Sequence, residues 1–150
     1  MSDTFTKLLY HLVFSTKHRQ PLIEDKLRSE LYPYIEGILR RRQGVVMTIG
    51  GMPDHVHLLV RLKPDMSVSK IVQAIKANSS KWIHERPDFP RDFAWQVGYG
   101  AFTVSESKAR SVYRYIQRQE EHHHKASYED ELRVLLTKHG IEFDPAYLLD

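Results

Sequence analysis

The sequence predicts an α+β fold of the ferredoxin-like, split-βαβ kind, with an antiparallel sheet, helices mainly on one face and an added C-terminal helix. Three observations lead there. Four apolar or aromatic runs have the length and β-branched content of strands. Longer segments between and after them carry apolar residues at intervals of three and four. The resulting order is β-α-β-β-α-β-α-α, and Gly- and Pro-rich junctions punctuate it.

KLLYHLVFST, residues 7–16, is apolar on both faces and is ended by KHRQP, so it reads as a central strand. From about Glu24 to Arg42, Leu27, Leu31, Tyr34, Ile35, Ile38 and Leu39 mark a helix that Pro33 should kink or delay and Gly44 should end. GVVMTIGGMP and DHVHLLVRL, separated by Gly50, Gly51 and Pro53, form a hairpin of two strands. Ser67 caps a second helix with the stripe Val68, Ile71, Val72, Ile75, Trp82 and Ile83. AWQVGYGAFTV, broken by Gly98 and Gly100, suggests a bulged fourth strand. A third helix opens at Ser105 and Glu106 and runs through at least Gln119. The last spans roughly Tyr128 to His139, with Ser127 and Asp130 resembling a capping box and Gly140 as its stop.

No repeat or long linker divides the 150 residues, so residues 1–150 are expected to form one domain with a helical tail over about 125–150. The chain has no cysteine, which removes disulfides and thiol chemistry and agrees with a reducing, cytoplasmic setting. Its N-terminus reads as neither signal peptide nor membrane span. A net charge of +3 permits nucleic-acid binding, and the placement of the basic residues must decide.

Chemistry concentrates in DHVHLLV, residues 54–60. On a strand His55 and His57 share one face while Val56, Leu58 and Val60 take the other. Two imidazoles at that spacing can converge on one metal ion, or they can be ordinary half-buried polar residues near a hairpin. A metal needs a further ligand, and the candidate is on the third helix. Tyr115 and Gln119, four residues apart, share a helical face, so an ion held by Gln119 would be within reach of Tyr115. Tyr113 points elsewhere, rotated by roughly 200°. Arg110, Arg114 and Arg118 form a basic row beside that face, suited to a phosphate backbone or to plain solvation. The tract His122, His123 and His124 can be read as metal-binding, but it falls where the helix ends, and the preferred reading is histidines complementing the helix dipole. Trp82 and Trp95 are assigned to core or to stacking.

The His-hydrophobic-His strand followed by Tyr-Ile-x-x-Gln on a helix, here YIQRQEEHHHK, resembles the single-tyrosine HUH transposases of the IS200/IS605 family. YHLVFSTKHRQPL and AWQVGYGAFTVS resemble the family's first strand and the strand before its tyrosine helix, so the match runs from about Leu8 to His124. The tail beyond is longer than compact members carry. The resemblance implies a transposase that cleaves and rejoins single-stranded transposon ends through a 5′-phosphotyrosine. Tyr115 would be the nucleophile, and His55, His57 and Gln119 would hold a Mg²⁺ or Mn²⁺ ion. It also implies recognition of DNA hairpins, a homodimer with composite active sites, and a bacterial or archaeal, nucleoid-associated protein. Lys17 and Arg19, with Lys70 and Lys76 on the polar side of the second helix, are candidate DNA contacts beside Arg110, Arg114 and Arg118.

Two other readings compete. The same strand order supports a non-catalytic RNA-recognition-like module, with Tyr10 and Phe14 as exposed aromatics, but this leaves the His pair and the Tyr-Gln spacing unexplained. A metal-dependent oxygenase or hydrolase would need a carboxylate or third histidine, and none stands at recognisable spacing.

Overall fold

A computed structural model describes residues 3–123 and 126–148. Strand β1 (Leu8–Ser15) leads to helix α1 (Asp25–Arg41), then to the hairpin β2 (Val45–Met52) and β3 (His55–Leu62). Helix α2 (Val68–His84), strand β4 (Gly100–Val104) and helices α3 (Ala109–Gln117), α4 (Gln119–His122) and α5 (Tyr128–Lys138) follow. The sheet order is β2-β3-β1-β4, and every neighbouring pair is antiparallel. Inserting β3 between β1 and β2 is the split-βαβ topology that the element order predicts.

The alternation of side chains assigns the two faces of the sheet. Leu12, Phe14, Val56, Leu58 and Val60 project one way into a core completed by Leu31, Ile35 and Ile38 of α1 and Ile71, Val72 and Ile75 of α2. The two 17-residue helices therefore cover one face. Val13 and Phe102 project the other way, where Tyr128 and Leu132 of α5 and Leu148 complete a smaller cluster. That face also carries His11 and His57, and α3, α4 and α5 lie over it. With both faces covered, Phe14 is fully buried and Tyr10 packs against the larger core, so the exposed aromatic platform of an RNA-recognition module is not formed.

Most element boundaries match the periodicities that predict them, and the caps are formed as expected. Lys70 N donates to Ser67 Oγ at 3.2 Å and Asp130 N to Ser127 Oγ at 3.2 Å, each satisfying a first-turn amide. Gly140 follows α5 with φ of 67°, a left-handed geometry that glycine adopts without steric cost. Three expectations change. Helix α1 runs on through Pro33. Strand β4 begins at Gly100 rather than at Ala94, because residues 94–96 instead bond the end of β1: Lys17 N to Ala94 O at 2.8 Å and Gln96 N to Ser15 O at 2.9 Å. The third helix breaks at Arg118, with φ −105° and ψ 25°, before Gln119 starts α4. Among the described residues no helix is long and apolar enough to cross a membrane.

Both tryptophans belong to the core. Trp95 is buried and donates from Nε1 to Ser79 Oγ at 3.0 Å, and Trp82 stacks on Tyr34 with ring centroids 4.4 Å apart.

Candidate functional site

The β2–β3 hairpin aims the histidines. In the ladder His57 pairs with Val13 and His55 with Ser15, so both side chains leave the sheet on the face opposite the α1–α2 core. Both are fully buried under α3, α4 and α5. Each uses its Nδ1 for a fixed partner. His55 Nδ1 lies 2.7 Å from Asp54 Oδ1, and His57 Nδ1 lies 2.8 Å from Nε2 of the buried His11. Such partners fix ring orientation and tautomer, leaving the two Nε2 atoms to face the same space.

That space is closed by Glu131 of α5. Its Oε1 lies 2.8 Å from His57 Nε2 and 3.3 Å from His55 Nε2. Its Oε2 accepts a short hydrogen bond from the Tyr115 hydroxyl and another, at 2.9 Å, from Gln119 Nε2. Gln119 Oε1 lies 3.0 Å from His55 Nε2. His123 Nε2 is 3.1 Å from both Gln119 Oε1 and Glu131 Oε1. The structure thus brings together Tyr115, His55, His57 and Gln119 within one chain.

Tyr115 and Gln119 meet at Glu131 although the helix between them is interrupted. The break at Arg118 sets Gln119, 1% exposed, at the start of α4. Helix α3 is seated deeply because Gly50 lacks a side chain: a Cβ there would overlap the carbonyl oxygen of Ile116, the residue after Tyr115. Tyr113 is 42% exposed and points away.

Charge in the site is strongly organised. Burial alone would raise the Glu131 carboxyl, but hydrogen bonds from His123, His55 and His57 hold it far below the usual carboxylate range. Burial pushes His11 down to about 3 and His57 down to about 4, so both are neutral near pH 7. His55 resists the same burial because Asp54 and Glu131 bond to it, and it is raised to about 9. Burial, reinforced by the Glu131 charge, pushes the Tyr115 phenol well above its ordinary value.

Ligand atoms of His55, His57 and Glu131 all lie within 4.8 Å of one another, close enough to hold one metal ion. His122, His123 and Glu131 form a second such group sharing the same carboxylate. Imidazole nitrogens with carboxylate and amide oxygens make a mixed nitrogen and oxygen donor set, so the residues present fit a divalent metal ion. Two clefts meet at Tyr115. One, of about 660 Å³, runs between β4, α3 and α5 and is lined by His11, Phe102, Tyr115 and Glu131, with Lys108 and Lys138 beside them. The other, of about 470 Å³, is lined by Arg114, Tyr115, Arg118 and His122.

Arg110, Arg114 and Arg118 are exposed, and the last two flank Tyr115. Lys17 is exposed in the 3₁₀ turn after β1, Arg19 is partly covered there, and Lys70 is exposed at the start of α2. Lys76 turns inward, with its ammonium donating to the carbonyls of Gln96, Val97 and Gly98 at 2.9, 3.2 and 2.6 Å.

Several site residues escaped the sequence reading. Glu131 supplies a carboxylate that no recognisable spacing announces: it arrives from 74 residues beyond His57 in sequence. Its signal is an acid on the apolar stripe Tyr128, Glu131, Leu132, Leu135. His11 was visible as a polar residue interrupting an apolar strand on the face that Val13 shares with His57. For His123 the preferred expectation is a complement to a helix dipole; it enters the site instead, nearer the metal-binding alternative, and His124 lies outside the described residues.

Comparison with known proteins bears on the family and the fold. Residues 4–119 match the family described as "Transposase IS200 like". The transposase TnpA of ISDra2 from Deinococcus radiodurans is 28% identical over 118 residues, covering 75% of this chain and 84% of that protein. The transposase for the insertion sequence element IS200 of Salmonella typhimurium is 28% identical over 116 residues, covering 73% and 75%. A crystallised transposase from Deinococcus radiodurans superposes with a TM-score of 0.62 at 26% identity, over 79% of this chain and 95% of that one. A REP-associated tyrosine transposase bound to a REP hairpin shares the fold, with a TM-score of 0.62 at 16% identity over 82% and 74% of the two chains. A strand-borne histidine pair, a tyrosine on a following helix and a family match over residues 4–119 lead to one conclusion: this chain belongs to the IS200-like transposases.

Proposed function

We propose that the chain cleaves and rejoins single-stranded DNA at transposon ends, with Tyr115 as nucleophile and His55, His57 and Gln119 as ligands of one Mg²⁺ or Mn²⁺ ion. The observation that carries this reading is the meeting of the Tyr115 hydroxyl, the Gln119 amide and both imidazoles around one buried point. Family membership makes DNA strand transfer the reaction to be explained.

In the cleavage step the Tyr115 oxygen bonds to the scissile phosphorus and the bond to the 3′ oxygen breaks. The phenol gives up its proton and the departing 3′ oxygen takes one up. The 5′ phosphate stays on Tyr115, so a second 3′ hydroxyl can reverse the step without ATP. A bound divalent ion supplies polarisation of the phosphate and stabilises the charge that accumulates on it. Asp54 and His11 hold the imidazoles in register, while Arg114 and Arg118 beside Tyr115 hold flanking phosphates. Lys17, Arg19, Lys70 and Arg110 extend the basic surface available to the strand.

The substrate is DNA whose ends fold into hairpins, a reading supported by the hairpin-bound relative of the same fold. The whole chain acts as one domain, because its tail helix lines the site. Each chain uses its own Tyr115. A homodimer then carries two such sites, and a composite site would require α3 to leave its seat on Gly50. The test is incubation with a labelled single-stranded hairpin and Mg²⁺ or Mn²⁺. A denaturation-resistant protein–DNA adduct that disappears on chelation is expected; hairpin binding with no adduct under any divalent ion would overturn the proposal.

A further inference from the structure

We infer that Glu131, carried by the tail helix α5, is a fourth protein ligand of the catalytic ion, completing a His55, His57, Gln119 and Glu131 set. The inference rests on the metal site of the proposed function and adds to it a residue from outside the stretch that matches the family.

Spacing is the first argument. Adjacent vertices of an octahedron with metal–ligand bonds of about 2.1 Å are about 3 Å apart. Glu131 Oε1 lies 2.8 Å from His57 Nε2 and 3.3 Å from His55 Nε2, and Gln119 Oε1 lies 3.0 Å from His55 Nε2. Three contacts among four potential ligand atoms from β3, α4 and α5 therefore have the length of such an edge. Each imidazole has its other nitrogen engaged, by Asp54 or by His11, and so presents only Nε2 to this centre.

Charge is the second. Once His55 has given up its proton to the solvent, two imidazoles and a carboxamide are neutral donors, and a divalent ion held by them beside Asp54 leaves an uncompensated positive charge in a buried site. Glu131, 3% exposed, supplies the second carboxylate, so the ion and the two acids balance. The same group also reaches the nucleophile. Oε1 faces the imidazoles while Oε2 holds the Tyr115 hydroxyl and the Gln119 amide, so one carboxylate fixes the distance from ion to phenol.

Access to water is the third. The clefts that meet at Tyr115 reach Glu131 and His122 from solvent, which leaves room for the remaining coordination positions to carry water or a phosphate oxygen.

The test is Mn²⁺ binding to the full-length, chelator-stripped protein, followed by calorimetry and by electron paramagnetic resonance. Glu131→Gln keeps size and hydrogen-bonding reach but removes the charge. It should weaken Mn²⁺ binding at least about tenfold, with unchanged circular dichroism of the metal-free chain. Mn²⁺ bound by Glu131→Gln as tightly as by wild type, or more tightly, overturns the inference and makes the carboxylate a competitor for the ligand face. Should that variant fold poorly, the wild type alone decides. Counting waters on the bound ion by ¹⁷O hyperfine spectroscopy should give about two if four protein groups bind and about three if Glu131 does not. The control is His55→Ala with His57→Ala: loss of binding there beside intact binding in Glu131→Gln refutes this inference only. Undiminished binding in the double variant sinks the metal reading itself.

Discussion

His55 Nε2 and Gln119 Oε1 lie 3.0 Å apart in the same chain although 64 residues separate them. The contact joins β3 to the residue that opens α4, and it exists because the chain breaks its helix at Arg118 and turns the amide inward. The histidine pair and the tyrosine therefore need no second subunit to meet.

This gives a complementation test. Mixing Tyr115→Phe chains with chains carrying His55→Ala and His57→Ala should yield no more adduct than either variant alone, measured with the labelled hairpin. Recovery of activity in the mixture would mean that tyrosine helices are exchanged between subunits.

Removing both imidazoles separates ion from substrate. His55→Ala with His57→Ala should abolish stoichiometric Mn²⁺ binding while leaving hairpin affinity within about threefold of wild type, because most such affinity comes from phosphate contacts. Calorimetry and gel shift measure the two quantities. Unchanged metal affinity would remove the ligand assignment.

Gly50 tests the seat of the nucleophile. Gly50→Ala places a methyl group against the Ile116 carbonyl and must lift α3 from β2. Overpacking of this kind costs about 1–3 kcal/mol in stability. Displacing Tyr115 by a fraction of an ångström should also cut adduct yield at least about tenfold, with hairpin binding retained. An active Gly50→Ala enzyme would show that α3 need not sit where it does.

The metal-free protein should have a narrow pH optimum of stability. His11 and His57 are buried and depressed to about 3 and about 4, so the unfolded chain takes up protons that the folded one refuses as pH falls below 6.5. Each then loses roughly 2 kcal/mol of stability between pH 6.5 and pH 5. His55 is raised to about 9, so its contribution is complete below pH 6.5 and is lost as pH rises through 9. Chemical denaturation of the chelator-treated chain across this range should be steepest on the acid side, and His11→Asn should flatten that limb.

Much of this was legible in the sequence for physical reasons. Alternation on a strand places His55 and His57 on one face, because that rule depends only on local backbone geometry. The four-residue step from Tyr115 to Gln119 assumes a continuous helix, and the two side chains meet at Glu131 across a break instead. The helix break at Arg118 was not legible, since nothing in VYRYIQRQEE forbids a continuous helix. Glu131 was hidden for a different reason. An acid on a helix is ordinarily solvated, and only the docking of α5 through Tyr128 and Leu132 onto Val13 and Phe102 converts it into a buried carboxylate. His11 shows the intermediate case: its strand is legible in the apolar run around it, yet its partnership with His57 depends on the register of β1 against β3.

The most direct test of the central claim is to map the DNA-linked peptide after cleavage of the hairpin by the wild-type protein. Mass spectrometry should find the nucleotide on Tyr115, with the adduct abolished in Tyr115→Phe and kept in Tyr113→Phe. An adduct on Tyr113, or one that survives Tyr115→Phe, would contradict the account.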